Sequence, residues 1–440
     1  MTQTNSTPCS TGGNHRSKIL FVRWAALATS LCLSLVLSTS EAKAERVKNR
    51  VDVEAVQGVL AVRSLDGWLL ADSKGRNPIA ADLVQPDGLT KRQWFYFIPA
   101  FGQPSILVHK SEASAFVQVP GVKIEYTGFR DLKAGLRTLL KGTTTVAMEY
   151  APKSGIRSLT RVDAGTVAMV SKIGVTIESS ADLVQFTKSL WGPDGRIAHF
   201  TAVHHLTKLR EEALEFIAER VIAKRPVTEY DVQVFLANGY RVRGLTGEAT
   251  VAVGANSAKP NYQATKRASS SIDMNQMVLL ELNGAVSDAE RPVYASLSWV
   301  AYVGETVPER LHKTFKVVSG ARDVTLEFLR DRVKRRRLVK GFEADQKARS
   351  EVGKAGLASR FLHRTGHSLD TSLEGDGANL DDYETHDTRS LVLGSGFTVG
   401  PGVYVPREYG IRTIVDVHVA RTGLEITTPV QTRITPILLK

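Results

Sequence analysis

Glu281 lies in Met277-Val278-Leu279-Leu280-Glu281-Leu282, a carboxylate among five apolar neighbours. Burying it charged and unpaired is costly, so the segment demands a partner, and Arg412 and His367 are the residues on offer. Tyr294, Ser296 and Ser298 alternate with Ala295, Leu297, Trp299 and Ala301, which gives a strand one polar face and one apolar face. Such a row of hydroxyls reads as a polar wall, since no Gly-x-Ser-x-Gly elbow or Ser-His-Asp spacing accompanies it. Cys9 and Cys32 are the only cysteines and both precede residue 45, which leaves the rest of the chain without a thiolate or a disulfide. His204-His205 reads as a surface pair at a helix start.

The chain has 440 residues, with 42% hydrophobic and 23% charged, enough for two domains with ordinary globular cores. Arg16, Lys18 and Arg23 precede an apolar run from Trp24 to Leu37, and Ala42-Lys43-Ala44 suits a small-residue cleavage site. Residues 1–44 are therefore expected to be a signal peptide, and the mature protein to be secreted or periplasmic. No stretch is long enough to span a bilayer. The formal charge is +12, of which the leader holds four basic residues against Glu41, so about +9 remains. Lys334-Arg335-Arg336-Arg337 follows the helical stripe Leu326, Leu329, Val333 and reads as a solvated helix end, with no nucleic-acid partner.

Trp68 to Ala71, Trp94 to Ile98 and Thr145 to Met148 read as buried strands, and Leu132 to Leu140 as a helix stopped by Gly142. Residues 45–190 are expected to form an α/β domain. Trp191-Gly192-Pro193-Asp194-Gly195 reads as a linker to a second domain, residues 196–440. There, Leu206 to Ile222 has helical spacing, Thr228 caps a further helix, and Met277 to Leu282 is a strand ending at Asn283-Gly284. A helical pair spans 307–352, and strands return in the last quarter.

Arg92-Gln93-Trp94-Phe95-Tyr96-Phe97-Ile98-Pro99, Ala147-Met148-Glu149-Tyr150 and Val162-Asp163-Ala164-Gly165-Thr166 occur in that order. They are followed by Thr228-Glu229-Tyr230-Asp231, His363-Arg364-Thr365-Gly366-His367-Ser368, Gly377-Ala378-Asn379-Leu380-Asp381, Glu384-Thr385-His386-Asp387-Thr388-Arg389, Pro401-Gly402-Val403-Tyr404 and Gly410-Ile411-Arg412. This succession resembles the Xaa-Pro peptidase and creatinase family of the M24 superfamily across nearly the whole chain after residue 44. The resemblance implies an α+β protein: a creatinase-like α/β N-terminal domain, then a pita-bread domain in which helices back a curved sheet around a metal pocket.

In that family, two Asp, one His and two Glu hold two divalent ions, which acidify a bridging water. Matched residue by residue, those positions fall here on Glu281, Ser296, His367, Gly400 and Ile414. Only His367 keeps its type, and Glu281 carries one extra methylene. A hydroxyl, a bare glycine and an aliphatic chain cannot neutralise four positive charges, so no metal or other cofactor is expected. Asn261 and Glu374 stand where the family has further histidines, while His363, His386 and Arg412 are kept.

Three readings follow. One is a catalytically inactive binder that holds a peptide or a small carboxylate-bearing ligand through Arg412 and the histidines. A second is a metal-free, creatinase-like hydrolase of C–N bonds, with His363, Glu374 and Arg412 as catalytic candidates beside Glu281 and His367. The third is a residual Xaa-Pro peptidase with one weakly held manganese, cobalt or zinc ion on recruited carboxylates such as Asp376, Asp387 or Asp416. Asp416 is two residues from Ile414, a step that preserves a strand's face. A homodimer is expected by analogy with the family.

Overall fold

The computed structural model describes residues 51–152 and 155–438; the expected leader, with Cys9 and Cys32, lies outside the described residues. The chain runs through α1 (Val53–Val62), β1 (Gly67–Asp72), α2 (Pro78–Val84), β2 (Trp94–Pro99), β3 (Ser105–His109), β4 (Val122–Tyr126), α3 (Phe129–Leu139), β5 (Thr145–Met148), α4 (Ala164–Ser171), β6 (Thr176–Ser179) and α5 (Ala181–Lys188). The six strands form one sheet in the order β4-β3-β2-β1-β5-β6. β1 is antiparallel to β2 and parallel to β5. Its apolar runs are continuous because both faces are covered. Trp68, Leu70, Trp94, Tyr96 and Ile98 pack with Leu60 and Leu183 on one side. Leu69, Ala71, Phe95 and Phe97 pack with Leu132 and Leu136 on the other.

Glu149, just past β5, is the polar knot of this layer and fully buried. It accepts from Trp68 Nε1 at 2.6 Å, Asn77 Nδ2 at 2.7 Å and Ser180 Oγ at 3.1 Å. It thereby ties β1 to the residues that start α2 and α5.

The second half contains α6 (Gly192–Ile222), α7 (Glu229–Val242), β7 (Leu245–Val253), β8 (Met277–Val286), β9 (Ala295–Tyr302), α8 (Glu309–Lys334), α9 (Gly341–Lys354), β10 (Ser368–Leu369), β11 (Gly396–Val399), β12 (Gly402–Val405), β13 (Tyr409–Arg412), β14 (Val415–Ala420), β15 (Gly423–Ile426) and β16 (Thr435–Pro436). One sheet has the order β16-β9-β8-β7 and another β10-β11-β14-β15, with β12-β13 as a hairpin. Leu206, Leu209 and Ile217 of α6 and Leu236 of α7 pack on Val251, Leu280 and Leu297. The opposite face of β8 and β9 presents Met277, Leu279, Val300 and Tyr302 to Phe315 and Val318 of α8 and Val352 of α9. The period of two carries that face on to Glu281, Asn283, Ser298 and Ser296, so one surface is apolar at one end and polar at the other.

Three sequence expectations are corrected. Residues 191–195 are no linker: Pro193 sits in the first turn of α6, where its fixed φ suits a helix and its missing N–H would be unpaired anyway. Trp191 is fully buried, with Nε1 donating to Leu369 O at 2.7 Å. His204-His205 consequently lies inside α6 rather than at its start. β8 does not stop at Asn283-Gly284 but runs to Val286, with Gly284 paired to Gly247. The basic run 334–337 is exposed at the end of α8, as expected, and Arg336 closes that helix at φ 53°.

Burial raises the Glu149 carboxyl from an ordinary 4.5 to about 7. Below 4.5 both folded and unfolded states are protonated. Between 4.5 and 7 only the unfolded state ionises, so stability falls as pH rises. Glu149→Gln should remove this slope, which amounts to on the order of 3 kcal/mol across the window. Thermal unfolding of both proteins at pH 5 and pH 7.5 measures it: the parent's extra loss of midpoint at the higher pH should vanish in the variant.

Candidate functional site

The polar end of the β8–β9 surface forms the floor of a cavity of about 580 Å³. Cross-strand register sets Glu281 opposite Ser298 and Asn283 opposite Ser296. Three groups of bonds fasten this floor to the β13–β14 segment. Ser298 Oγ donates to Arg412 O at 3.0 Å and accepts from Ile414 N at 2.7 Å. Ser296 N donates to Asp416 Oδ2 at 2.7 Å. Arg412 Nη1 lies 3.3 Å from both Glu281 oxygens, so of the two partners open to Glu281 the guanidinium is the one used.

The histidine loop is held from below by α9. Asp345 Oδ1 accepts from Thr365 N at 2.9 Å and Thr365 Oγ1 at 2.5 Å. Arg349, paired with Asp345 at 2.6 Å, donates to Phe361 O at 3.2 Å and to His363 O. Gly366 is required by close approach, for a Cβ there would stand 1.9 Å from Thr398 O.

His363 and His367, both lining the cavity, differ in freedom. The His363 ring donates from Nδ1 to Arg364 O at 2.7 Å, and its Nε2 accepts from Tyr404 Oη at 2.8 Å. Burial first, then the nearby Arg412, pushes its pKa well below the ordinary imidazole value. Both ring nitrogens are thereby engaged, one with the loop and one with Tyr404. His367 uses Nδ1 toward Ser368 O at 3.1 Å, and burial, with Arg364 next, lowers it to about 4. It is therefore a neutral imidazole near pH 7, and among the described residues its Nε2 has no hydrogen-bond partner.

Gly400 and Ile414 meet each other. A Cβ at Gly400 would lie 2.7 Å from Ile414 Cγ1, so the isoleucine fills the space into which a side chain at 400 would project. Glu374, at the rim, pairs with Arg364 at 2.8 Å, and Glu384 approaches the same guanidinium at 3.6 Å. Asn261 also lines the cavity. His386 does not; it is exposed, bonds Asp382 at 2.6 Å and stacks on Phe342.

The carboxylates considered for recruitment are engaged elsewhere. Asp387 is buried against Arg389 at 2.7 Å, and Asp376 faces Lys188 at 3.6 Å. Asp416 is fully buried, its Oδ1 has no partner, and burial raises its pKa well above the carboxylate range. A neutral acid is the form such an environment tolerates. Among the described residues, no group of three or more His, Cys, Asp or Glu side chains is gathered to hold an ion.

Sequence reasoning missed Glu229. Buried at the start of α7, it accepts from Val253 N at 2.6 Å, Ser270 N at 2.7 Å, Tyr262 Oη at 2.5 Å and Asn256 Nδ2 at 3.1 Å. It so folds back the 254–271 loop that brings Asn261, Tyr262 and Gln263 to the cavity wall. Its place beside the capping Thr228 puts it in the first turn of α7, where a carboxylate suits the helix dipole.

The described fold is that of solved dipeptidases and prolidases. It matches dipeptidase PepE from Mycobacterium ulcerans with a TM-score of 0.66 at 18% identity, over 88% of this chain and 99% of that one. An Xaa-Pro dipeptidase from Bacillus anthracis matches with a TM-score of 0.60 at 18% identity, over 87% and 98%. By sequence the chain is 28% identical to the Xaa-Pro dipeptidase of Lactobacillus helveticus over 199 residues, 44% of this chain and 47% of that protein. An uncharacterized peptidase of Staphylococcus haemolyticus is 26% identical over 238 residues, 51% and 60% of the two chains. These alignments span about half the length of the curated relatives. Residues 201–421 match the model for metallopeptidase family M24, and the chain belongs to that family.

Two variants test the site's construction. Glu229→Gln should lower stability by about 2 kcal/mol through loss of a charged acceptor of buried donors, and limited proteolysis should cut the 254–271 loop faster. Gly400→Ala alone should cost about 1–3 kcal/mol from overpacking. In an Ile414→Ala background the same change should cost under about 1 kcal/mol, a coupling that denaturant titration of the double-mutant cycle reads directly.

Proposed function

We propose that this protein is an exported, catalytically inactive relative of the Xaa-Pro peptidases that uses the β8–β9 cavity to hold a peptide. The observation that supports the reading is the packing of Ile414 onto Gly400, an apolar contact between the two positions that the family resemblance matches to carboxylate ligands. Ser296 adds only a hydroxyl, which donates to Asn283 Oδ1 at 2.5 Å. Two dications at such a site would be left largely uncompensated. The metal-free hydrolase is less well supported, because His363 is saturated by Arg364 and Tyr404, and Glu374 is exposed and bound to Arg364. Export rests on the basic-then-apolar order of residues 16–44, and the family relationship makes a peptide the natural occupant.

Metal analysis of the mature protein purified without chelators should find below about a tenth of an equivalent of manganese, cobalt or zinc. Ala-Pro and Gly-Pro peptides should remain intact after addition of manganese or cobalt, and steady turnover would overturn the reading. The triple variant Ser296→Asp, Gly400→Glu, Ile414→Glu, which rebuilds the carboxylates around His367 and Glu281, should gain manganese binding detectable by calorimetry.

A further inference from the structure

The turn from α8 into α9 concentrates positive charge. Residues 330–340 hold seven Lys and Arg against Asp331 alone. Arg335 is paired with Asp331 at 2.7 Å and Arg332 with Glu343 at 3.7 Å. Among the described residues the side chains of Arg330, Lys334, Arg336 and Arg337 have no ion pair or hydrogen bond, and all four are exposed.

A helix C-terminus attracts cations, which accounts for Lys334 and Arg335 at the end of α8. It does not account for the two residues beyond. Arg337 N donates to Arg332 O at 2.9 Å and Arg336 N to Val333 O at 3.0 Å, the two bonds of a Schellman turn, with Arg336 at φ 53°. Such a turn ordinarily takes glycine at the left-handed position and an apolar residue after it. Both are arginine here, a choice against local preference that calls for another use.

Leu338, next in the chain, is 74% exposed. Val339 is buried with Leu326, Leu329 and Ala344, and its carbonyl accepts from Leu391 N at 2.9 Å. The turn is thus pinned on both sides and presents its cations and one apolar side chain as a fixed tip. Residues 330–340 contain no aromatic, amide or hydroxyl side chain, so apart from the guanidinium groups nothing there stacks on or reads a base.

We infer that this tip docks the protein on an anionic phospholipid bilayer, with Arg330, Lys334, Arg336 and Arg337 on lipid phosphates and Leu338 in the interfacial layer. The contact is peripheral, for no described helix is long and apolar enough to cross a membrane. It is independent of what the β8–β9 cavity holds.

Co-sedimentation of the mature protein with vesicles of phosphatidylcholine, alone or mixed with phosphatidylglycerol, tests it. The mixed vesicles should bind at least about tenfold more tightly, and the advantage should shrink as salt rises. Arg336→Gln with Arg337→Gln should weaken mixed-vesicle binding by about 20-fold. Leu338→Ser should weaken it by about threefold without changing its salt dependence. Arg336→Gly separates docking from folding: it relaxes the left-handed turn, so the unfolding midpoint should hold or rise while vesicle binding falls about fivefold. Equal or absent binding to the two vesicle types, or unchanged binding by the double glutamine variant, would overturn the inference. Duplex DNA bound as tightly as the mixed vesicles, with Leu338→Ser neutral for both, would mark a general polyanion surface and overturn it too.

Discussion

Glu281 and Arg412 form the interaction around which the second half of this protein is arranged. The carboxylate belongs to a strand whose neighbours make the apolar core, and the guanidinium closes a hairpin that crosses above it. A partly buried carboxylate is helped by a cation, and here the chain supplies its own. That choice consumes the charge that a carboxylate ligand would have sought and fixes β13 over the β8–β9 floor. The Ser298 bonds to Arg412 O and Ile414 N make the same junction through the backbone. Polar side chains that read as a wall are thus fasteners, and the cavity is what remains between the surfaces they hold apart.

The coupling of Gly400 with Ile414 has a similar logic. Interiors are close-packed, so a side chain lost at one wall position leaves a void that a neighbour can fill at little strain. Ile414 does this over Gly400. With the filling in place, a carboxylate introduced at either position alone would meet a clash or a desolvated charge. The side chains tolerated at the two positions are therefore coupled.

Much of this was legible in advance because the dominant forces are local or periodic. The continuous apolar runs Trp68–Ala71 and Trp94–Ile98 announce strands covered on both sides, and the alternation through Ser296 and Ser298 announces a two-faced one. The motif around His363 and His367 placed both rings at one cavity. What failed involved partners distant in the chain. Gly192-Pro193 reads as a break, since nothing local reveals that Trp191 is anchored on Leu369 and that a helix begins at once. His363 offers an acid or base by type alone, and its engagement by Arg364 O and Tyr404 is visible only in the fold. Asp416 shares the strand parity of Ile414, yet ends buried beneath Ser296. Parity sets a face but not how far along it solvent reaches.

Neutral histidines complete the physical picture. A general base working near pH 7 needs a pKa near that value, whereas burial and adjacent guanidinium groups hold His363 and His367 far lower. Lowering these pKa values is what a ligand-holding wall requires, because a neutral ring presents the same acceptor pattern across the whole physiological range. The rim arginine between Glu374 and Glu384 then adds a charged but paired border around the Glu281–Arg412 pair inside. Geometry and protonation together give a pocket whose wall carries neutral imidazoles and whose border charges are paired.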